Sequence, residues 1–288
     1  MPDDIVVRDG YLYGGWRRPV NIAAEVRGSI HDDDAAQRLG MRGGTVAGCI
    51  HLEQFPPVLL KAFGPRWFEQ GTLSVYYTYA TRDREEVRVV VGVPPAGIDD
   101  AQVEAWMETP DGHTVCRGTA SVGQPTGPTA LGALEPENAA PDELRILAGL
   151  RAGDSLPPRD VTITAEEMSQ RLNVITEPLD WYQGGSPWGS PIATPMLMFN
   201  AMRVDLHLSI QAVPFQGATE LRNVEGPTKV GVPYRAAGEV LCVGTSPKTE
   251  YYWFDAYLEE VASGRRVAEM RMMRRFMKAS SPLYRDQG

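Results

Sequence analysis

The sequence predicts an α+β protein built from two similar halves in tandem. Two observations lead there. The first is a repeated order of segments, in which a glycine-rich lead-in precedes an apolar helical run. GMRGGTVAG (residues 40–48) precedes one such run and SPWGSPIAT (residues 186–194) precedes the other. The second is that each copy continues into a long β-type run with a turn in its middle. These are AQVEAWMETPDGHTVCRGTASV (residues 101–122) and KTEYYWFDAYLEEVASGRRVAEMRMMRRF (residues 248–276). A helix that is apolar on most faces has to be buried, and an antiparallel sheet is the layer that buries it. Two such halves pack on each other, and ligand sites favour that interface.

The elements follow in order. Tyr11, Tyr13 and Trp16 in the polar first 20 residues suggest a short hairpin. Asp32, Asp33 and Asp34 suit the first turn of a short helix, where acidic groups meet unpaired N–H groups. Gly40, Gly43 and Gly44 end that helix. TVAGCIHLEQFPPVLLKAF (residues 45–63) reads as a buried helix that Pro56-Pro57 must end or kink. LSVYYTYAT (73–81) and VRVVVGV (87–93) are rich in β-branched and aromatic residues and read as strands. VEAWMET and TVCRGTASV form a hairpin through Pro110-Asp111-Gly112. The first half spans residues 1–125, a Pro-, Gly- and Ala-rich linker spans 126–160, and the second half spans 161–288. Thr164 and Glu167 form a capping pattern near the start of that half. Glycines and prolines from Gly184 to Pro195 fix a loop before MLMFNAMRVDLHL (196–208), the second buried helix. The remainder is sheet, with Ser263-Gly264 at the last hairpin turn.

Bulk composition narrows the function. The chain has 288 residues, 43% hydrophobic and 23% charged, with formal net charge −9. That balance disfavours nucleic acid and anionic membrane as partners, since both call for a basic surface. The arginines within residues 271–275 alternate with methionine and are expected to face solvent from a strand. Cys49, Cys116 and Cys242 are odd in number and far apart, which supports neither a disulfide frame nor a zinc knuckle. With no signal peptide and no apolar stretch near the ~20 residues of a membrane span, the expected location is the cytoplasm. P-loop, dinucleotide and nucleophile-elbow motifs are absent.

IHDDDAAQRLGMRGGTVAG (residues 30–48) resembles the stretch that follows the hydratase signature of MaoC-like enzymes. In that family an Ile-His pair leads to an acidic-then-alanine helix, a Leu-Gly corner and a glycine-rich run into the hot-dog helix. SPWGSPIATP (186–195) resembles the matching stretch of other MaoC-like domains. Residues 238–272 resemble the strands of the same fold. The resemblance implies a tandem double hot-dog, each half a long buried helix wrapped by an antiparallel sheet. It implies a hydratase or dehydratase, a lyase acting on a thioester of coenzyme A or an acyl-carrier protein. No metal or other cofactor is implied. The expected assembly is a homodimer or a pair with another hot-dog chain.

The family signature is D-x-N-P-x-H, whose Asp and His act on one water. His31 stands at the histidine. Val26 stands where the aspartate belongs, and Gly28 and Ser29 replace the Asn and Pro. The catalytic candidates are therefore His31 as base, with Glu25 or Asp180 as its partner and Tyr182 beside Asp180. Asp33 and Asp34 are first-turn caps or alternative partners. Gly43, Gly44, Thr45, Gly189 and Ser190 are candidate substrate-binding residues through their backbone N–H groups, though glycines there also serve turns. His51 reads as a core or groove residue, His113 as a solvated turn residue and His207 as a helix end. The four histidines show no metal-ligand spacing. The incomplete signature leaves open a different hot-dog enzyme, a thioesterase, isomerase or cyclase of secondary metabolism. It also leaves open a non-catalytic acyl-binding subunit.

Overall fold

The computed structural model of the chain describes residues 4–203 and 210–284. In the first half the β-type runs become β1 (Val6–Arg8), β2 (Tyr11–Tyr13), β3 (Gly71–Tyr77), β4 (Arg88–Gly92), β5 (Gln102–Glu108) and β6 (Thr114–Val122). In the second they become β7 (Ser155–Thr162), β8 (Pro214–Asn223), β9 (Pro233–Thr245), β10 (Thr249–Glu260) and β11 (Arg266–Met277). All join one antiparallel sheet in the order β1-β2-β4-β5-β6-β3-β8-β11-β10-β9-β7. The order β2-β4-β5-β6-β3 recurs as β7-β9-β10-β11-β8. The halves meet where β3 pairs antiparallel with β8, Leu73 opposite Leu221. An approximate two-fold therefore relates the copies, and each wraps its sheet round its own helix. This is the double hot-dog that the sequence predicts.

The helices are α1 (Asp33–Arg38), α2 (Gly48–Leu52), α3 (Pro56–Phe63), α4 (Trp67–Gln70), α5 (Ala165–Leu172) and α6 (Pro195–Met202). The long helix expected over residues 45–63 is two helices, α2 and α3. Pro56 and Pro57 occupy the first turn of α3, where their missing N–H groups cost nothing; further back they would break the ladder of a continuous helix. Leu52, Phe55 and Leu59 are fully buried against the sheet, and cutting such a leucine to alanine costs about 2–5 kcal/mol. Helix α6 ends at Met202, and His207 lies outside the described residues. Among those residues no helix is long and apolar enough to cross a membrane.

Two expectations need correction. The segment taken as a linker, residues 126–160, already contains the start of β7, which pairs with β9. It is also stitched to the second half. The Glu250 carboxylate, fully buried, accepts the N–H groups of Arg145, Ile146 and Leu147 at 2.8, 3.0 and 2.8 Å. A buried carboxylate needs such donors, and local composition does not show where they come from. The arginines of β11 do not simply face water. Arg271 makes a two-pronged bond to Asp255 at 2.8 Å, and Arg275 donates to the Tyr76 hydroxyl at 2.7 Å.

Candidate functional site

The glycine-rich lead-in folds into a corner that holds His31. Asp32 caps α1 and accepts the Asp34 N–H. Asp33 reaches the other way and accepts the Gly44 N–H at 2.6 Å. Thr45 donates its N–H to the Ile30 carbonyl at 2.9 Å. A Cβ on Gly44 would stand 2.2 Å from the His31 carbonyl oxygen, so only glycine fits there. The Thr45 carbonyl lies 2.6 Å from His31 Nδ1. A carbonyl can only accept, so Nδ1 carries the proton and Nε2 the lone pair of the neutral ring.

His31 borders a cavity of 320 Å³ at the start of α2. Ala47, Gly48, Cys49, His51 and Tyr77 of the first half line it, with Phe199, Phe215, Gln216, Met272 and Arg274 of the second. It lies at the interface between halves, where two-half architectures place ligands. The Tyr77 hydroxyl donates to the Gly48 carbonyl at 3.0 Å. A Cβ on Gly48 would come within 2.8 Å of the Tyr77 ring. Burial pushes the Cys49 thiol up to about 12, which removes its thiolate at neutral pH. The described residues that line the cavity include no Asp or Glu. Nor do three His, Cys, Asp or Glu side chains gather as a metal site among the described residues.

The second half builds the same corner and closes it. Ile192 donates to the Trp181 carbonyl at 3.0 Å, as Thr45 does to Ile30. Tyr182 therefore occupies the position of His31, buried and with its hydroxyl unpartnered among the described residues. Ahead of α6 lies Glu53, supplied by the first half and 0% exposed. Its Oε2 accepts from Arg171 Nε at 2.7 Å. Glu53 Oε1 has no full hydrogen bond among the described residues; the Thr194 hydroxyl and Met196 N–H are polar groups that face its charge. Burial pushes the Glu53 carboxyl up while Arg171 opposes the rise. An internal carboxylate thus faces the first turn of α6.

The predicted site residues fall in separate places. Glu25 is exposed and lines a charged depression with Arg27, Asp32, Arg42 and Arg84, which His31 also borders, and it does not line the cavity. Asp180 is exposed and lines an apolar groove with Arg17, Glu177 and Trp181. Gly43 adopts φ +150° beside Asp33. The N–H groups of Gly44 and Thr45 are already donated, to Asp33 and Ile30. Gly189 donates to the Ser186 carbonyl within a tight turn, and the buried Ser190 hydroxyl has no partner among the described residues. Sequence reasoning missed the Glu53–Arg171 pair and set His51 aside as a core or groove residue. The available signal was a charge and an imidazole inside an otherwise apolar helical run.

No protein-family model matches the chain, and no curated protein matches it. Solved structures do. A MaoC domain protein of Chloroflexus aurantiacus, provisionally named a dehydratase, is 10% identical with TM-score 0.63, covering 96% of this chain and 98% of that one. A conserved Mycobacterium tuberculosis protein with a double hot-dog fold is 13% identical with TM-score 0.59, covering 91% and 93%. A MaoC-like dehydratase is 13% identical with TM-score 0.52, covering 92% and 97%. The chain is a double hot-dog protein, with the fold of MaoC-like structures along nearly its whole length.

Proposed function

We propose that this protein is an acyl-thioester hydratase or dehydratase with one working site per chain, at the cavity beside His31. The observation that carries this is the His31–Thr45 bond of 2.6 Å, which sets Nε2 as the base next to the start of α2. In hydration, Nε2 takes a proton from water as the water oxygen bonds to the β-carbon of an enoyl thioester. The double-bond electrons move through the thioester enolate, and the α-carbon takes a proton back. Dehydration is the reverse. A positioned base of this kind contributes about 10²–10⁴-fold. Gly48 and Cys49 line the cavity, and first-turn N–H groups have no partner within their own helix. This reading assigns them to the enolate oxygen. The acyl carrier is coenzyme A or an acyl-carrier protein.

Neither Glu25 nor Asp180 lines the cavity, so the proposal uses neither as partner to His31. That same lack of a carboxylate favours one second reading. A lone histidine base also suits direct attack of water on the thioester carbonyl, which releases the thiol. A mass-spectrometric screen of coenzyme A thioesters, saturated, enoyl and hydroxyacyl, separates the two. Gain or loss of one water supports the first reading. Release of free coenzyme A supports the second. An unchanged panel contradicts both.

A further inference from the structure

The first half carries a second histidine at the cavity, and its copy does without one. His51 on α2 is 3% exposed and lines the cavity. Its Nε2 lies 2.8 Å from Thr81 Oγ1. Its Nδ1 has no hydrogen-bond partner among the described residues. Leaving a buried polar atom unpaired is costly, because it gives up its hydration for no bond.

The internal repeat tells whether the fold needs this ring. Val46 donates to the Thr81 carbonyl at 2.9 Å, and Ala193 donates to the Thr228 carbonyl at 2.8 Å. The bridges Thr45↔Arg82 and Ile192↔Lys229 keep the same register. Thr81 therefore matches Thr228, and His51 matches Met198. Met198 is buried in its copy, while the Thr228 hydroxyl is left unpaired among the described residues. A methionine fills this hot-dog position without any imidazole. Burial also pushes His51 down to about 4, so its ring is neutral near pH 7. One nitrogen is committed to Thr81, and the other is without a partner among the described residues.

Apart from His31, the polar side chains beside His51 in the cavity are engaged with one another or with backbone. Tyr77 donates to Gly48, and Gln216 donates to the Tyr77 and Thr219 hydroxyls. The cavity volume, 320 Å³, sits at the small end of the ~300–1,000 Å³ typical of ligand pockets. A short acyl group fits that size better than a long chain.

We propose that His51 Nδ1 hydrogen-bonds a hydroxyl on a short acyl group, beyond the carbons that react, and so selects hydroxylated acyl thioesters over alkyl ones. A hydroxyl both donates and accepts, so it suits either tautomer of the ring. This rests on the reading of the cavity as a thioester site. A pocket built to hydrogen-bond a substrate hydroxyl rejects the analogue that lacks it, because its own polar group is then left unpaired.

The test is calorimetric binding of butyryl- and γ-hydroxybutyryl-coenzyme A, and of valeryl- and δ-hydroxyvaleryl-coenzyme A. Wild-type protein is expected to prefer at least one hydroxylated member by about tenfold or more. His51→Met, which installs the residue of the second copy, is expected to erase that preference and keep alkyl binding. Nitrogen NMR of histidine-labelled wild-type protein gives a readout that does not depend on the variant folding. There the His51 Nδ1 signal should move with the hydroxylated ligand and not with the alkyl one. Equal binding of both members of each pair overturns the proposal. So does a preference that survives in folded His51→Met. Binding of no thioester at all overturns the thioester reading and this proposal with it.

Discussion

Glu53 of the first half and Arg171 of the second form a buried ion pair, Oε2 to Nε at 2.7 Å, ahead of the first turn of α6. The pair links the halves and fills the space that lies open at α2. Removing one partner strands a charge in the core. Glu53→Ala should therefore destabilise the fold by about 3–5 kcal/mol. Glu53→Leu combined with Arg171→Met should cost less than the sum of the single changes, because it leaves neither charge alone. Chemical denaturation of Glu53→Ala, of Glu53→Leu and Arg171→Met singly, and of the double variant measures this. Simple additivity would mean that the two residues do not act as a pair.

Gly44 sits where a side chain would strike the His31 carbonyl. Gly44→Ala should push the corner outward, at a cost of about 1–3 kcal/mol. It should also lower kcat more than it raises KM, because the base is displaced while the cavity walls remain. Steady-state kinetics on the folded variant check this. Unchanged kcat would show that the position of His31 does not matter to turnover.

Much of this frame is legible in the sequence. The tandem order, the strands, the Thr164 cap and the Pro56-Pro57 break are all local patterns, governed by side-chain periodicity and by proline's missing N–H. The two corners at Gly40–Gly48 and before Thr194 are legible for the same reason. What local pattern cannot carry is which group from the other half fills each corner. Glu53 meets Arg171 across 118 positions, and only the packed sheet brings them together. Glu25 and Asp180 stand out in the sequence only by their spacing from the positions of the family signature. The fold places Glu25 in a charged depression outside the cavity and Asp180 in a separate groove.

Burial lifts the Glu177 carboxyl from its usual 4.5 to about 7, although Arg17 lies 2.8 Å away. The folded chain thus holds this proton more tightly than the unfolded chain. Its contribution is fully present below the unfolded value and is lost as pH rises through about 7, by no more than about 3 kcal/mol. Thermal melts across that range should show the wild-type Tm falling relative to Glu177→Gln as pH rises. Parallel profiles would mean that Glu177 stays ionised throughout.

Cys49 lines the cavity, but its thiol is held neutral by burial. Native protein should react slowly with iodoacetamide at Cys49, and Cys49→Ala should keep most of its turnover. Peptide mapping and kinetics give the two readouts. Rapid alkylation together with complete loss of turnover in the variant would move the chemistry from His31 to the thiol.

The central claim rests on His31, so the most direct measurement compares wild type with His31→Ala on whichever acyl thioester the screen finds to be turned over. Circular dichroism and thermal melts first establish that the variant is folded. The account predicts a loss of about 10²–10⁴-fold in kcat with the substrate still bound. A folded His31→Ala protein that turns over at the wild-type rate would contradict it.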